Sequence, residues 1–352
     1  MHYVGIDLHK RYVTVCALDK SGEVVAEYRR LSNTAEAVLG FLERLKGPVA
    51  VALEATLHWA WLHDLLSGAG YEVKVAHPQQ VKLICHARCK TDPVDAHKLA
   101  DLLRTDLLPA IWVPDAETRA KRRLLRGRAF LVRARTRVKN RIQAYLAEQN
   151  LRVPVTDLFG KAGRQWLGVV ALPEAVRLQV ELLVELVEVL DERVKRLDRE
   201  IRERVAVSPE AQRLMTVPGI GPYLALLIEA EIGTIERFRT SHELASYAGL
   251  VPSTRSSGGK TAHGGVGPAG SSWLKWALVE ATQVLKRSPG PVRFHYERLV
   301  RAKGKQKATV AAARKLCCYL YWMLREGWSY EEWLERRERL EVRPVQTLAS
   351  VA

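Results

Sequence analysis

Along the first hundred residues, short apolar runs alternate with polar turns and with stretches of helical period. Residues 3 to 7, 12 to 18 and 24 to 29 are β-rich, the last two runs separated by the turn Lys20-Ser21-Gly22. Ser32 or Asn33 can cap a helix running to about Arg44, Pro48 opens an apolar strand from Val49 to Leu53, and a Trp/Leu-rich helix follows. Tyr71 to Val75 reads as a further short strand. Asp92 to Arg104 reads as a helix with Pro93 in its first turn, where the missing N–H does no harm.

Three antiparallel strands, then helix, strand, helix, strand and helix, is the order of a ribonuclease-H-like α/β domain. Beyond it the pattern becomes helical. Leu124, Leu125, Phe130, Leu131, Val138 and Ile142 give the stretch after Arg119 one apolar seam. Val176, Val180, Leu183, Val187, Leu190, Val194, Leu197 and Ile201 recur at alternating steps of four and three, a heptad seam that predicts a coiled coil for dimerising or spacing domains. An antiparallel hairpin within the chain is the other reading. Pro218-Gly219-Ile220-Gly221-Pro222 lies between two apolar helical stretches, resembling a helix-hairpin-helix element, which offers backbone N–H groups to a phosphate. Leu244 to Val251, a loop from Pro252 to Ser272 and helices through Leu324 follow, then a tail rich in Glu, Arg and Trp. The expected organisation is an α/β domain over 1–112, a basic helical extension over 113–155, a helical coiled-coil segment over 156–207, a mostly α-helical domain over 208–330 and a tail over 331–352.

Charge changes this picture more than composition does. The 352 residues are 47% hydrophobic, enough to fill real cores, and carry a net charge of +16, which implies a polyanionic partner. That charge is local. Residues 119–141 hold eleven Lys or Arg and no acid, and residues 286–315 hold ten against Glu297, so these two segments exceed the net charge of the whole chain. Like charges on one helix repel unless a polyanion neutralises them, which marks Arg119, Lys121, Arg122, Arg123, Arg126, Arg128, Arg133, Arg135, Arg137, Lys139 and Arg141 as candidate nucleic-acid contacts, with Gly219, Gly221 and Lys260. No apolar run reaches the roughly 18 residues of a membrane span and no signal-peptide core is present, so a cytoplasmic, nucleoid-associated protein is expected.

Four carboxylates suggest chemistry. Asp7 interrupts the first strand, Glu54 ends the apolar strand VAVALE where open α/β sheets place their sites, and Asp92 and Asp95 share one face of a helix. A divalent cation relieves such crowding, and hard oxygen ligands favour Mg²⁺ or Mn²⁺. The segment from Arg255 to Gly270 reads as a flexible Gly-rich loop holding hydroxyls and cations. Its Gly259-Lys260-Thr261 is not a nucleotide-binding loop, since position 254 is Thr where that pattern needs Gly. Cys16, Cys85, Cys89, Cys317 and Cys318 read as reduced thiols; Cys85 and Cys89 with His86 lack the second half of a zinc site.

The ordered set GIDLHK, LEAT, KTDPVDAHKLADLLR, LLRGRAFLVRARTRVKNRI, VPGIGPYLALLIEAEIG, YAGLVPSTRSSGGKTAHGGV and GSSWLKWALVEA resembles the IS110/IS1111 family of insertion-sequence transposases over nearly the whole chain. Leu57, where the family commonly has Gly, is a local departure. The resemblance implies a RuvC-like domain whose DEDD acids are Asp7, Glu54, Asp92 and Asp95, holding a divalent metal. It also implies a nucleophilic serine before a glycine, best matched by Ser257 with Ser256 as rival, and a covalent protein–DNA intermediate. A structured bridge RNA that pairs with donor and target DNA is implied as partner, as is a dimer or tetramer. Since acids and serine lie far apart in sequence, a complete site needs the two domains brought together. The competing readings are a RuvC-type nuclease or Holliday-junction resolvase using water, and a nucleic-acid-binding factor without activity.

Overall fold

The computed structural model describes residues 1–56, 58–84, 92–257, 260–267 and 270–341, with the backbone alone at 254–255, 257, 260–263 and 338–341. The chain forms two compact units, Met1–Pro114 and Asp115–Ala352.

In the first unit the elements are β1 (His2–Leu8), β2 (Tyr12–Leu18), β3 (Val24–Ser32), α1 (Ala35–Glu43), β4 (Val49–Glu54), α2 (Trp59–Gly68), β5 (Glu72–Ala76), α3 (Pro78–Ile84) and α4 (Asp92–Arg104). One five-stranded sheet has the order β3-β2-β1-β4-β5, with β1, β2 and β3 antiparallel and β4 and β5 parallel to β1. The apolar run of β4 follows from burial on both faces: Val51 and Leu53 join the core under α1 and α2, while Ala50 and Ala52 pack with Leu99, Leu102 and Leu103 of α4. The cap of α1 is Thr34, whose hydroxyl accepts from the Ala37 N–H, not Ser32 or Asn33. β3 runs on through Ser32, and Asn33 instead braces the β1–β2 turn by donating to the His9 carbonyl at 2.9 Å. The short α3 was not expected from periodicity, because Val81 is its one buried residue.

The second unit contains α5 (Ala116–Glu148), α6 (Lys161–Val169), α7 (Glu174–Ala206), α8 (Pro209–Met215), α9 (Pro222–Ile232), a 3₁₀ turn (Ile235–Arg237), α10 (Ser241–Tyr247), β6 (Pro252–Ser257), β7 (Lys260–Val266), α11 (Ser272–Leu285), α12 (Pro291–Glu326) and α13 (Tyr330–Glu341). Two expectations change here. The heptad seam of α7 does not wait for another subunit: Val180, Val187, Val194 and Ile201 are buried, and α7 lies antiparallel to α5, as the pairs Arg128–Asp198 and Arg135–Asp191 show. The segment 252–266, read as a loop, is an antiparallel two-stranded ribbon with Pro252 paired to Val266 and Ser257 to Lys260. Its lack of large apolar side chains hid it from pattern reading. Leu125, Ile201 and Val205 join α8, α9, α11, α12 and α13 in one core, and the C-terminal Tyr330 and Trp333 are part of it.

Candidate functional site

In the first unit a close approach sets up the acidic cluster. A Cβ on Gly5 would lie 1.9 Å from the Ala96 carbonyl oxygen, so only glycine lets α4 lie this close across β1. That contact carries Asp92 and Asp95, in the first turn of α4, toward Asp7 near the end of β1. Two carboxylates in a first helical turn are favoured by the helix dipole, which offsets part of their mutual repulsion. The Asp7, His9 and Asp92 ligand atoms all lie within 4.8 Å of one another. His9 Nε2 stands between the carboxylates, 3.1 Å from Asp7 and 3.3 Å from Asp92, and the Tyr12 hydroxyl donates to Asp92 at 3.2 Å. Burial raises the Asp7 carboxyl above its ordinary value; His9 opposes this, and the charges of Asp92 and Asp95 add to it. Burial and the bond to Asp92 likewise raise the Tyr12 phenol.

Glu54 reaches the same edge through register. Leu53 pairs with Ile6, so Glu54 is level with Asp7 on the adjacent parallel strand. Asp95 is held by Lys98 at 3.0 Å, and Asp101, further along α4, pairs with Arg104. Two carboxylates and an imidazole that converge, with two more acids alongside, are a donor set suited to a divalent cation. His9 was missed in the sequence, where the signal was its place two residues after Asp7, on the same side of an extended strand end.

In the second unit the predicted basic contacts divide. Lys121 pairs with Glu229 at 2.9 Å, Arg126 with Glu231 at 2.7 Å, Arg128 with Asp198 at 2.9 Å and Arg135 with Asp191 at 2.5 Å, while Arg122 donates to the carbonyls of Ala230 and Glu231. Burial works against the charge of Lys121, but Glu229 and Glu117 outweigh it and hold the ammonium above its ordinary range. Arg119 is half-buried in the first turn. Arg123, Arg126, Arg133, Arg137 and Arg141 are exposed along one helix face, and with them Phe130, which its spacing assigns to the apolar seam. Arg133 also lies over Trp273, Lys139 over Phe159 and Arg141 over Tyr145.

Gly219 has a positive φ of 88°, and a Cβ there would meet Val284 of α11 at 2.6 Å, so packing demands this glycine. Gly221 is the N-cap of α9, with Pro222 following it. Ser256 is exposed on β6, and Ser257 ends that strand opposite Lys260. The side chains of Ser257 and Lys260, and all of Leu57, Cys85, His86, Cys89, Gly258 and Gly259, lie outside what is described. Cys16 and Cys317 are buried free thiols, and burial pushes Cys16 up to about 11. Among the described residues no helix is long and apolar enough to cross a membrane.

Residues 4–150 match the family profile of IS110-type DEDD transposases, described as "Transposase", and residues 211–297 match that of the transposase IS116/IS110/IS902 family. Similar relatives include a "probable family 20 transposase" of Pseudomonas aeruginosa, 32% identical over 81% of this chain and 84% of its own. Another is the transposase for insertion sequence element IS1111A of Coxiella burnetii, 27% identical over 89% of this chain and 86% of its own. A third is the transposase for IS1328 of Yersinia enterocolitica, 29% identical over 80% and 83%.

Proposed function

Because the chain belongs to the IS110-type transposase family, we propose that it is an RNA-guided recombinase that cuts and rejoins DNA through a serine nucleophile with help from a divalent metal. The observation that supports this most directly is the meeting of Asp7 and Asp92 at one end of the sheet, with Glu54 in register and Asp95 one helical turn away. The first unit is then a RuvC-like, ribonuclease-H-like domain, a reading supported by its strand order β3-β2-β1-β4-β5.

In this reading Asp7, Glu54, Asp92 and Asp95 hold Mg²⁺ or Mn²⁺, which when bound polarises the scissile phosphoryl group. His9, now between two of those carboxylates, either turns aside or becomes a ligand. Ser257, with Ser256 as the alternative, forms a new P–O ester as the deoxyribose oxygen leaves and takes up a proton. One ester replaces another, so rejoining needs no nucleotide energy source, in keeping with the absence of a nucleotide-binding loop pattern. Donor and target DNA are the substrates, a bridge RNA selects them, and the exposed Arg123, Arg137 and Arg141 with Phe130 offer phosphate contacts and a stacking surface. The protein works in the cytoplasm on nucleoid DNA as a homo-oligomer, a dimer or tetramer. Support for the oligomer comes from Leu178, Leu182, Leu186 and Val189, an exposed apolar stripe on α7 turned roughly 140° around the helix from the side packed on α5.

The deciding experiment incubates the protein, its RNA and labelled DNA with Mg²⁺, denatures the mixture, and looks for DNA covalently attached to protein. The adduct is expected with wild type and lost in Ser257→Ala. Cleaved ends without adduct, at an undiminished rate in Ser257→Ala, would replace this reading with that of a nuclease using water. Asp7→Asn should abolish cleavage, retain RNA binding, and remove the rise in melting temperature that Mn²⁺ gives the wild type.

A further inference from the structure

In the second unit, α12 is broken at Gly304, where φ is 76° and ψ is 164°, so its first part folds back over its second. Between them lies an open cleft of about 510 Å³. His295 and Lys303 come from the first part, Arg314, Lys315 and Trp322 from the second; α10 contributes His242, and α13 contributes Trp333 and Arg337. A neighbouring cleft of about 350 Å³ shares His295, Lys315 and Arg337 and adds Phe294 and Arg298. Five cations and two histidines therefore face one continuous groove, and among the described residues no carboxylate lines either part of it.

Two of these cations have imidazole partners that leave their charge in place. Arg314 donates to Nδ1 of His242 and Arg298 to Nδ1 of His295, each at 3.3 Å, and neither imidazole neutralises a guanidinium. The charges are felt locally: burial first, then Arg298, Lys315 and Lys303, hold the His295 imidazole below its ordinary value. Aromatic rings complete the walls. Tyr319 and Trp333 pack with ring centroids 3.8 Å apart and planes tilted by 33°, and Phe294 stands exposed at the mouth beside Arg298.

We infer that this groove is a binding site for an unpaired nucleotide and its flanking phosphates. A duplex presents phosphates but keeps its bases stacked inside, so aromatic walls behind a cationic rim serve a strand whose base can leave the stack. Arg298, Arg314, Lys303 and Arg337 take the phosphates, and Phe294 offers its face to a base at the entrance. The inference deepens the function proposed above and rests on it only in taking nucleic acid as the substrate. It places a single-stranded segment on α12, apart from the arginine face of α5.

The test measures fluorescence anisotropy of full-length protein with labelled 12-nucleotide single-stranded DNA, the same sequence as RNA, and a blunt DNA duplex, at fixed salt. Phe294→Leu and the double variant Arg298→Gln/Lys303→Gln alter exposed side chains and should leave the fold intact. Each should weaken single-strand binding about tenfold while duplex binding changes less than twofold. Tighter binding of RNA would identify the guide as the source of the strand, and tighter binding of DNA a displaced strand of the duplex. Single-strand binding equal to wild type in both variants, or an equal loss on duplex, overturns the inference and leaves the recombinase reading standing. A wild type that binds none of the three probes would overturn both.

Discussion

Two basic segments that look alike in sequence have opposite surroundings in the structure. On α5, Lys121, Arg126, Arg128 and Arg135 are matched by Glu229, Glu231, Asp198 and Asp191 of α7 and α9. On α12, Arg298, Lys303 and Arg314 face a groove whose described lining has no acid. Repulsion along a single helix predicts a polyanion for both. It omits acids brought in from elsewhere in the chain, and these turn much of α5 into structural cement, whereas among the described residues none lines the groove of α12.

This difference can be broken by substitution. Arg126→Ala leaves Glu231, only 2% exposed, without its guanidinium, and should cost about 3 kcal/mol in urea denaturation. An unchanged midpoint would mean that the α5 cations are not structural. Next, a double-mutant cycle on Arg128 and Asp198 should give a coupling of about 1 kcal/mol, less than for Glu231 because both side chains are partly exposed.

Asp115, the N-cap of α5, is of similar weight and adds a pH signature. Its carboxylate accepts the Thr118 N–H at 2.6 Å, and that bond is the main reason its carboxyl is held below the ordinary range. A lowered folded value stabilises the protein above the unfolded value and is lost as pH falls through the folded one. Asp115→Ala should therefore cost about 1 kcal/mol at neutral pH, with the difference from wild type closing from about pH 4 downward. A constant difference across that range would assign the loss to something other than the cap. The smallest effect is expected on α12, where Arg298→Gln and Lys303→Gln should each change stability by less than about 0.5 kcal/mol. A cost of 2 kcal/mol or more, on the order of the buried pairs, would erase the contrast between the helices.

What the sequence made legible was whatever depends on near neighbours. The helix Asp92–Arg104 begins and ends where its acids, proline and final arginine suggest, and Asp7 and Glu54 stand at strand ends as their interruption of apolar runs implies. Less legible was anything settled by a distant partner. Phe130 fits the apolar seam of α5 by spacing, yet it is exposed, because the buried positions are fixed by where α7 and α9 lie. The heptads of α7 were visible, and an antiparallel hairpin within the chain was one of their two readings, but not that α5 would be the partner and that Leu178, Leu182, Leu186 and Val189 would form a second stripe. The groove on α12 depends on a turn at Gly304, within a stretch otherwise continuous in helical character.

Glu231 has one more consequence. Its carboxylate accepts from Arg126 of α5 and, at 3.0 Å, from Ser271, which is itself the N-cap of α11; the Glu231 backbone carbonyl accepts from Arg122. Two stretches of chain, remote in sequence from Glu231 and from each other, thus converge on it, and a lone replacement at position 126, 231 or 271 strands a partner. Across descendants of a common ancestor, these positions should change in concert or stay as they are, so the history of substitutions at one of them should be readable from the others.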